Sequence, residues 1–195
     1  HPAILVGHVT LSGATVGTER SMMLGRDHVL LLSTLANPAL DYVALGHIHK
    51  HQVLRENPMV VYAGSLQRVD FSEEKDTKGF CVIDLDPSRS QSGRLTRFHF
   101  QPVDARPFLT IDVDVKHSDP NPTETVIQAI AHHNVAETIV RVRIQLPGEL
   151  ETALNEEQVR NALSDAHYVA AISTKVARER RTRVSSSAVE TLSGF

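Results

Sequence analysis

Two histidines separated by a single residue, His47 and His49, follow Gly46 at the end of the apolar run Tyr42-Val43-Ala44-Leu45. In an extended chain alternate side chains share a face, so both imidazoles can look into one site. Neutral imidazole is a ligand for divalent transition metals, and mixed imidazole and carboxylate shells suit manganese, iron or zinc. His8 is delivered in the same way, after the apolar run Ala3-Ile4-Leu5-Val6 and Gly7. Two strands thus carry histidines to their C-terminal ends, where open α/β sheets gather ligands. His51, between Lys50 and Gln52, reads as part of a solvated loop and as a weaker, substrate-touching candidate. Gly64-Ser65 reads either as a phosphate-approaching turn with a hydroxyl donor or as a simple end to the preceding strand. Arg68, Glu73, Glu74 and Lys78 read as a solvated charged loop. His28, His99, His117, His132, His133 and His167 sit in patterns that need no metal.

The elements that must position these residues follow from the apolar pattern. Ala3–Val6, Tyr42–Leu45 and Val60–Ala63 are short apolar runs of buried strands. A strand opening at the first residues predicts that the sequence is the later part of a longer chain. The stretch from His28 to Leu35 is apolar without a decisive period and closes at Asn37-Pro38. Phe80–Leu85 and Leu95–Phe100 are a strand pair separated by the turn-rich Asp86-Pro87-Ser88-Arg89-Ser90. A boundary falls within Gln101–Pro107, where the strand pattern gives way to a proline-bracketed polar link.

Beyond it the pattern changes. Leu109–Val115 alternates as a half-buried strand, Pro122 opens a helix through Val126, Ile127 and Ile130, and Thr138–Ile144 alternates again. Asn155 caps a second helix containing Val159 and Leu163, and Tyr168–Val176 is a last strand. The expected organisation is a first unit over 1–103, an α+β unit over 107–183 and a Ser-containing tail over 184–195. Arg141 and Arg143 share a strand face, and Lys175, Arg178, Arg180, Arg181 and Arg183 cluster nearby. Such a set suits sequence-independent phosphate contacts or a solvated, aggregation-resistant edge.

Composition frames these readings. The chain has 195 residues, 41% apolar and 22% charged, which describes a folding globular sequence. It lacks a run of roughly 20 apolar residues, so a membrane span is not expected, and a cytoplasmic location is. A net charge of −3 gives no general attraction for nucleic acid, leaving a local patch or metal ions to neutralise phosphate. The single cysteine, Cys81, cannot form an intrachain disulfide and is expected as a buried thiol.

Taken together, Gly7-His8-Val9-Thr10, Tyr42 to His49, Tyr62-Ala63-Gly64-Ser65, Phe71-Ser72-Glu73-Glu74 and Lys78-Gly79-Phe80 resemble the later motifs of the calcineurin-like metallophosphoesterases. More narrowly they resemble the SbcD-type nuclease subunits of double-strand-break repair complexes. The resemblance covers about the first hundred residues and continues more weakly beyond. It implies an α/β fold: the C-terminal half of a metallophosphoesterase sandwich followed by a small α+β capping domain that faces DNA. It further implies two Mn2+ ions, with Mg2+, Fe or Zn as alternatives; the position matching His49 binds one ion and those matching His8 and His47 bind the other. It also lifts Arg68, Glu73, Glu74 and Lys78 above a plain solvated loop, with Arg68 as a weak substrate-binding candidate.

The activity implied is exonuclease or endonuclease cleavage of phosphodiesters by a two-metal mechanism. The partners implied are DNA ends, an SbcC-type ATPase subunit and, in the complete protein, a second copy in a homodimer. The family's earlier motifs supply an aspartate, an Asp-x-His, a bridging aspartate and a Gly-Asn-His-Asp, none of which precedes His8. The fragment alone is therefore expected to be inactive or to hold one adventitious ion. Two other functions fit parts of the pattern: a phosphatase or nucleotidase of the same superfamily, and a non-catalytic DNA-binding module.

Overall fold

The computed structural model describes residues 1–17, 29–90 and 93–177. His28, Arg178, Arg180, Arg181, Arg183 and the tail over 184–195 lie outside them. Three apolar runs become parallel strands β1 (Ile4–His8), β4 (Tyr42–Gly46) and β6 (Met59–Tyr62). Between β1 and β4 lie two short strands, β2 (Thr10–Leu11) and β3 (Val29–Leu30), paired in parallel, and the single-turn helix α1 (Leu32–Leu35). The ambiguous apolar stretch is thus split between strand and helix, which is why neither period prevailed.

A strand that polar residues had hidden, β5 (Gln52–Glu56), pairs antiparallel with β6 across the cis Asn57–Pro58 bond. Edge position explains the weak signal, since Gln52, Arg55 and Glu56 need no burial there. The sheet order is β1-β4-β6-β5. Alternation sends Val43, Leu45, Val60 and Tyr62 to one face, where they pack with Leu11, Leu35 and Ile48. The antiparallel ribbon of β7 (Gly79–Leu85) and β8 (Leu95–Pro102) approaches the other face. Its Phe98 ring lies 6.4 Å from that of Tyr42, and Arg94 reaches Asp41 at 3.5 Å.

The later residues form β9 (Phe108–Asp114), α2 (Pro122–Ala131), β10 (Ile139–Pro147), α3 (Glu156–Asn161) and β11 (Tyr168–Ala177). The Asn121 and Asn155 side chains cap the two helices by accepting the N–H of Glu124 and Gln158. Here the expected α+β arrangement is corrected. The three strands are all parallel, in the order β11-β10-β9, so the helices are crossovers within two successive β-α-β units. Ile111, Val113, Val126, Ile130, Val142, Ile144, Val159 and Leu163 build a second apolar core on the helical face. Register aligns Asp112 with Arg143 and Ser173, and Asp114 with Gln145 and Lys175, on the polar face.

The two cores meet through the 3-10 turn Phe71–Glu73, capped by Asp70. Phe71 meets Phe108 edge-on at 4.9 Å, the Arg141 guanidinium lies 4.3 Å over the Phe71 ring, and Thr110 donates to Glu74 at 2.7 Å.

Candidate metal centre

Parallel pairing aligns the C-terminal ends of β1 and β4, setting His8 opposite Gly46. Because Gly46 has no side chain, the His8 ring can lie across the neighbouring strand. His47 Nδ1 and His8 Nε2 stand 3.2 Å apart, with ring planes at 69°. Two nitrogens held by one ion at about 2.1 Å are separated by roughly 3.0–3.4 Å for angles between square and tetrahedral, so this spacing fits a shared ion.

The expected extended His47-x-His49 geometry is corrected by the backbone. The strand ends at Gly46, and His47 has a φ of 92°. A non-glycine residue in that region stores of order 1–3 kcal/mol and departs from simple alternation, so the two rings are not placed by strand periodicity. His49 instead has its own partners. Its Nδ1 donates to Glu73 Oε1 at 2.9 Å, while its carbonyl accepts from Ser65 N–H at 3.0 Å and Lys78 Nζ at 3.1 Å. Among the described residues, no group of three or more His, Cys, Asp or Glu stands together so as to hold an ion. What the fold assembles is a histidine pair and, separately, a carboxylate-bound histidine.

The supposed solvated loop is also corrected. Glu73 is 3% exposed and Lys78 2% exposed, joined by a 2.6 Å ion pair. Burial by itself pushes the Glu73 carboxyl up. The hydrogen bonds from Lys78 and His49, the Lys78 charge and the Val69 N–H outweigh it and hold the group below the usual carboxylate range. Arg68 donates to the carbonyls of Glu73, Ala105, Arg106 and Asp76, so its guanidinium braces the turn and the link to β9 rather than facing substrate. Sequence reasoning missed the buried pair because a Glu and a Lys among charged neighbours carry no burial signal. The one available clue was that Lys78 abuts Gly79 at the start of an apolar strand.

Gly64 and Ser65 form a strand-ending turn against His49. Gly64 has a φ of 85°, and a Cβ there would meet the His49 carbonyl at 2.8 Å and the His51 nitrogen at 2.9 Å. The Ser65 hydroxyl donates to the Gln67 carbonyl at 2.7 Å. His51 is packed instead of solvated: Nδ1 donates to the Tyr62 carbonyl at 3.0 Å, and the ring stacks on Phe100 at 3.9 Å. Tyr62 ties β6 to the loop after β1, its hydroxyl donating to the Val9 carbonyl at 2.7 Å and accepting from Leu11 N–H at 2.9 Å. A cavity of about 170 Å3 beside Glu73 is lined by Thr15, Gly17, Lys50, Ser72 and Asp76.

On the later sheet, Arg143 forms a double hydrogen bond with Asp112 at 2.6 Å, and Arg141 donates to Thr110 while covering Phe71. Lys175 shares a cavity of about 520 Å3 with Asp112, Asp114 and Arg143. Two carboxylates balance two cations there, so the described part of the expected basic patch is not a field of uncompensated positive charge. No helix among the described residues is long and apolar enough to cross a membrane.

No family model matches the chain. Among curated proteins it is similar to the SbcD subunit of nuclease SbcCD from Staphylococcus epidermidis, 34% identical over 84 residues that cover 43% of this chain and 22% of the relative. The Rhodobacter capsulatus protein of the same name is 35% identical over 86 residues, covering 43% and 21%. That of Staphylococcus saprophyticus is 34% identical over 83 residues, covering 42% and 21%. The matched segment thus spans about a fifth of the length of these relatives. The similarity relates the chain to SbcD-type nuclease subunits, in agreement with the motif resemblance.

Proposed function

We propose that this chain supplies the histidine part of a two-ion centre in a DNA nuclease subunit, with His8 and His47 serving one ion and His49 the other. The observation that carries the reading is the 3.2 Å approach of the His8 and His47 ring nitrogens at the aligned ends of two parallel strands. Manganese suits the donors, and Mg2+, Fe or Zn are alternatives. Bound ions would supply orientation of an attacking water and neutralisation of charge on a phosphodiester. The chain's own contribution is positional: Gly46 gives the His8 ring room, and the Gly64-Ser65 turn holds the His49 backbone.

Carboxylate ligands that complete the centre come from outside this chain in the proposal, so the chain alone is inactive. The complete protein would be cytoplasmic, act on DNA ends, form a homodimer and work with an SbcC-type ATPase. The later sheet would face DNA, with Lys175 and Arg178, Arg180, Arg181 and Arg183 as phosphate contacts and Arg141 and Arg143 as supports.

Calorimetric titration with Mn2+ tests the reading, on this chain and on a chimera carrying the upstream portion of a relative. Tight binding of two ions only in the chimera, lost in His47→Ala, is the expected result. Cleavage of DNA ends in preference to small phosphomonoesters separates the nuclease from a phosphatase or nucleotidase. Salt-sensitive DNA binding with no metal binding in either form would leave only a DNA-binding module.

A further inference from the structure

Outside the histidine pair, three side chains among the described residues form a closed polar circuit. His49 Nδ1 meets one oxygen of Glu73, the other oxygen of Glu73 meets Lys78 Nζ, and Lys78 Nζ returns to the carbonyl of His49. The circuit fixes the residue at both ends, ring and backbone. Glu73 and Lys78 are both essentially inaccessible, so neither acts as a surface charge. Burying such a pair carries a desolvation cost, and hydrophobic replacements of similar volume are often neutral or stabilising. Stability alone is a weak reason for this arrangement.

The chemistry of the acceptor supplies a better one. A carboxylate only accepts hydrogen bonds, so the ring nitrogen facing Glu73 must carry a proton. In a neutral imidazole this puts the lone pair on the opposite nitrogen, Nε2. We propose that Glu73 and Lys78 are positioning residues that lock His49 as its Nδ1–H tautomer and present Nε2 as the metal-binding atom. The purpose of the lock rests on the two-ion reading above, whereas the tautomer itself does not. Arg68 extends the device by holding the Glu73 carbonyl, and the Val69 N–H donates to the Glu73 carboxylate at 3.3 Å. Carboxylate partners of this kind commonly change metal affinity by about 10–100-fold when removed.

Long-range proton–nitrogen NMR on 15N-histidine-labelled protein reads the tautomer directly in the whole chain, and added Mn2+ reads metal proximity by broadening in the chimera that carries the upstream portion of a relative. Wild type is expected to show His49 with Nδ1 protonated. Glu73→Gln should allow both tautomers and raise the Mn2+ concentration needed to broaden His49 about 10–100-fold, with the His8 and His47 signals responding as before. Should Glu73→Gln fail to fold because Lys78 is left buried without its counter-charge, Glu73→Gln with Lys78→Met removes both charges at similar volume. That double variant is expected to fold and to show the same loss. An Nε2–H tautomer in wild type, or a folded variant with unchanged tautomer and Mn2+ response, overturns the positioning role. Broadening of none of His8, His47 and His49 in the otherwise wild-type chimera, beside the expected tautomer, overturns the metal-directed purpose and the two-ion reading while leaving the lock established.

Discussion

A Cβ placed on Gly46 would lie 3.0 Å from His8 Nδ1, the two residues being register partners on adjacent parallel strands. The glycine before the histidine motif therefore acts across the sheet, on the histidine of the neighbouring strand. Its absence of side chain is what permits the His8 ring to reach His47.

Gly46→Ala should accordingly move the His8 imidazole by a few tenths of an ångström or turn it away, because contacts at this distance are too short for ordinary packing. We expect the fold to survive, since Gly46 is exposed at the strand end. In the chimera that carries the upstream portion of a relative, Mn2+ affinity should fall by about 10-fold or more, in keeping with the sensitivity of metal sites to ligand orientation. Calorimetry alongside circular dichroism checks both halves; unchanged affinity in a folded variant would remove the steric role assigned to Gly46.

Tyr62 is fully buried, and its hydroxyl engages two backbone groups of the loop after β1, the Val9 carbonyl and the Leu11 N–H. Tyr62→Phe should cost about 1–3 kcal/mol, because it takes from those groups their partner in the interior. Urea unfolding measures this. A midpoint identical to that of wild type would mean that water or a rearranged loop replaces the hydroxyl.

The strands that deliver His8 and His47 were legible because parallel, buried strands read as unbroken apolar runs, and the Gly-His after each run marked the strand's C-terminal end. The alternating strands and the Asn155 cap of the later residues were legible for the same local reasons, whereas the Asn121 cap was not read in advance. Other features depended on tertiary context. β5 is polar because one side of an edge strand faces solvent, so its residues resembled a loop. The burial of Glu73 and Lys78 is created by the 3-10 turn folding against His49, and nothing in the charge-rich stretch from Glu73 to Lys78 announces that. The parallel order of the later sheet also escaped the strand pattern, although the strict strand-helix-strand-helix-strand succession carried it.

Cys81 lies half-buried near Tyr42 and 4.0 Å from His51 Nδ1. Burial pushes its thiol up, and the Tyr42 hydrogen bond offsets this only in part. The nucleophile is the thiolate, and a raised thiol leaves less of it at any pH below its own range. Alkylation of the native chain near neutral pH should be slower than that of a free cysteine, with the rate rising only above the ordinary thiol range. The linkage has the same sign: the raised folded value contributes stability at lower pH that is lost as pH climbs from the unfolded value through the folded one. A pH series of iodoacetamide labelling tests it, and ordinary free-thiol kinetics would show that the site is open to solvent.

The contact between the two cores can be weighed by a double-mutant cycle on Phe71 and Arg141. Phe71 sits in the same turn as Glu73, one face covered by the Arg141 guanidinium and its edge against Phe108. A cation over an aromatic face contributes about 0.5–2 kcal/mol, more when partly desolvated. Phe71→Ala should lower stability by about 1–3 kcal/mol, because it also loses half-buried apolar area and the ring pair with Phe108. Arg141→Ala should cost less, and the two losses should be sub-additive by about 0.5–2 kcal/mol. Because the turn is continuous with the His49 support, Phe71→Ala should also shift the His49 ring signals, whereas Arg143→Ala on the open part of the same strand should not. Strict additivity, with unmoved His49 signals, would mean that the later sheet and the histidine site are energetically independent.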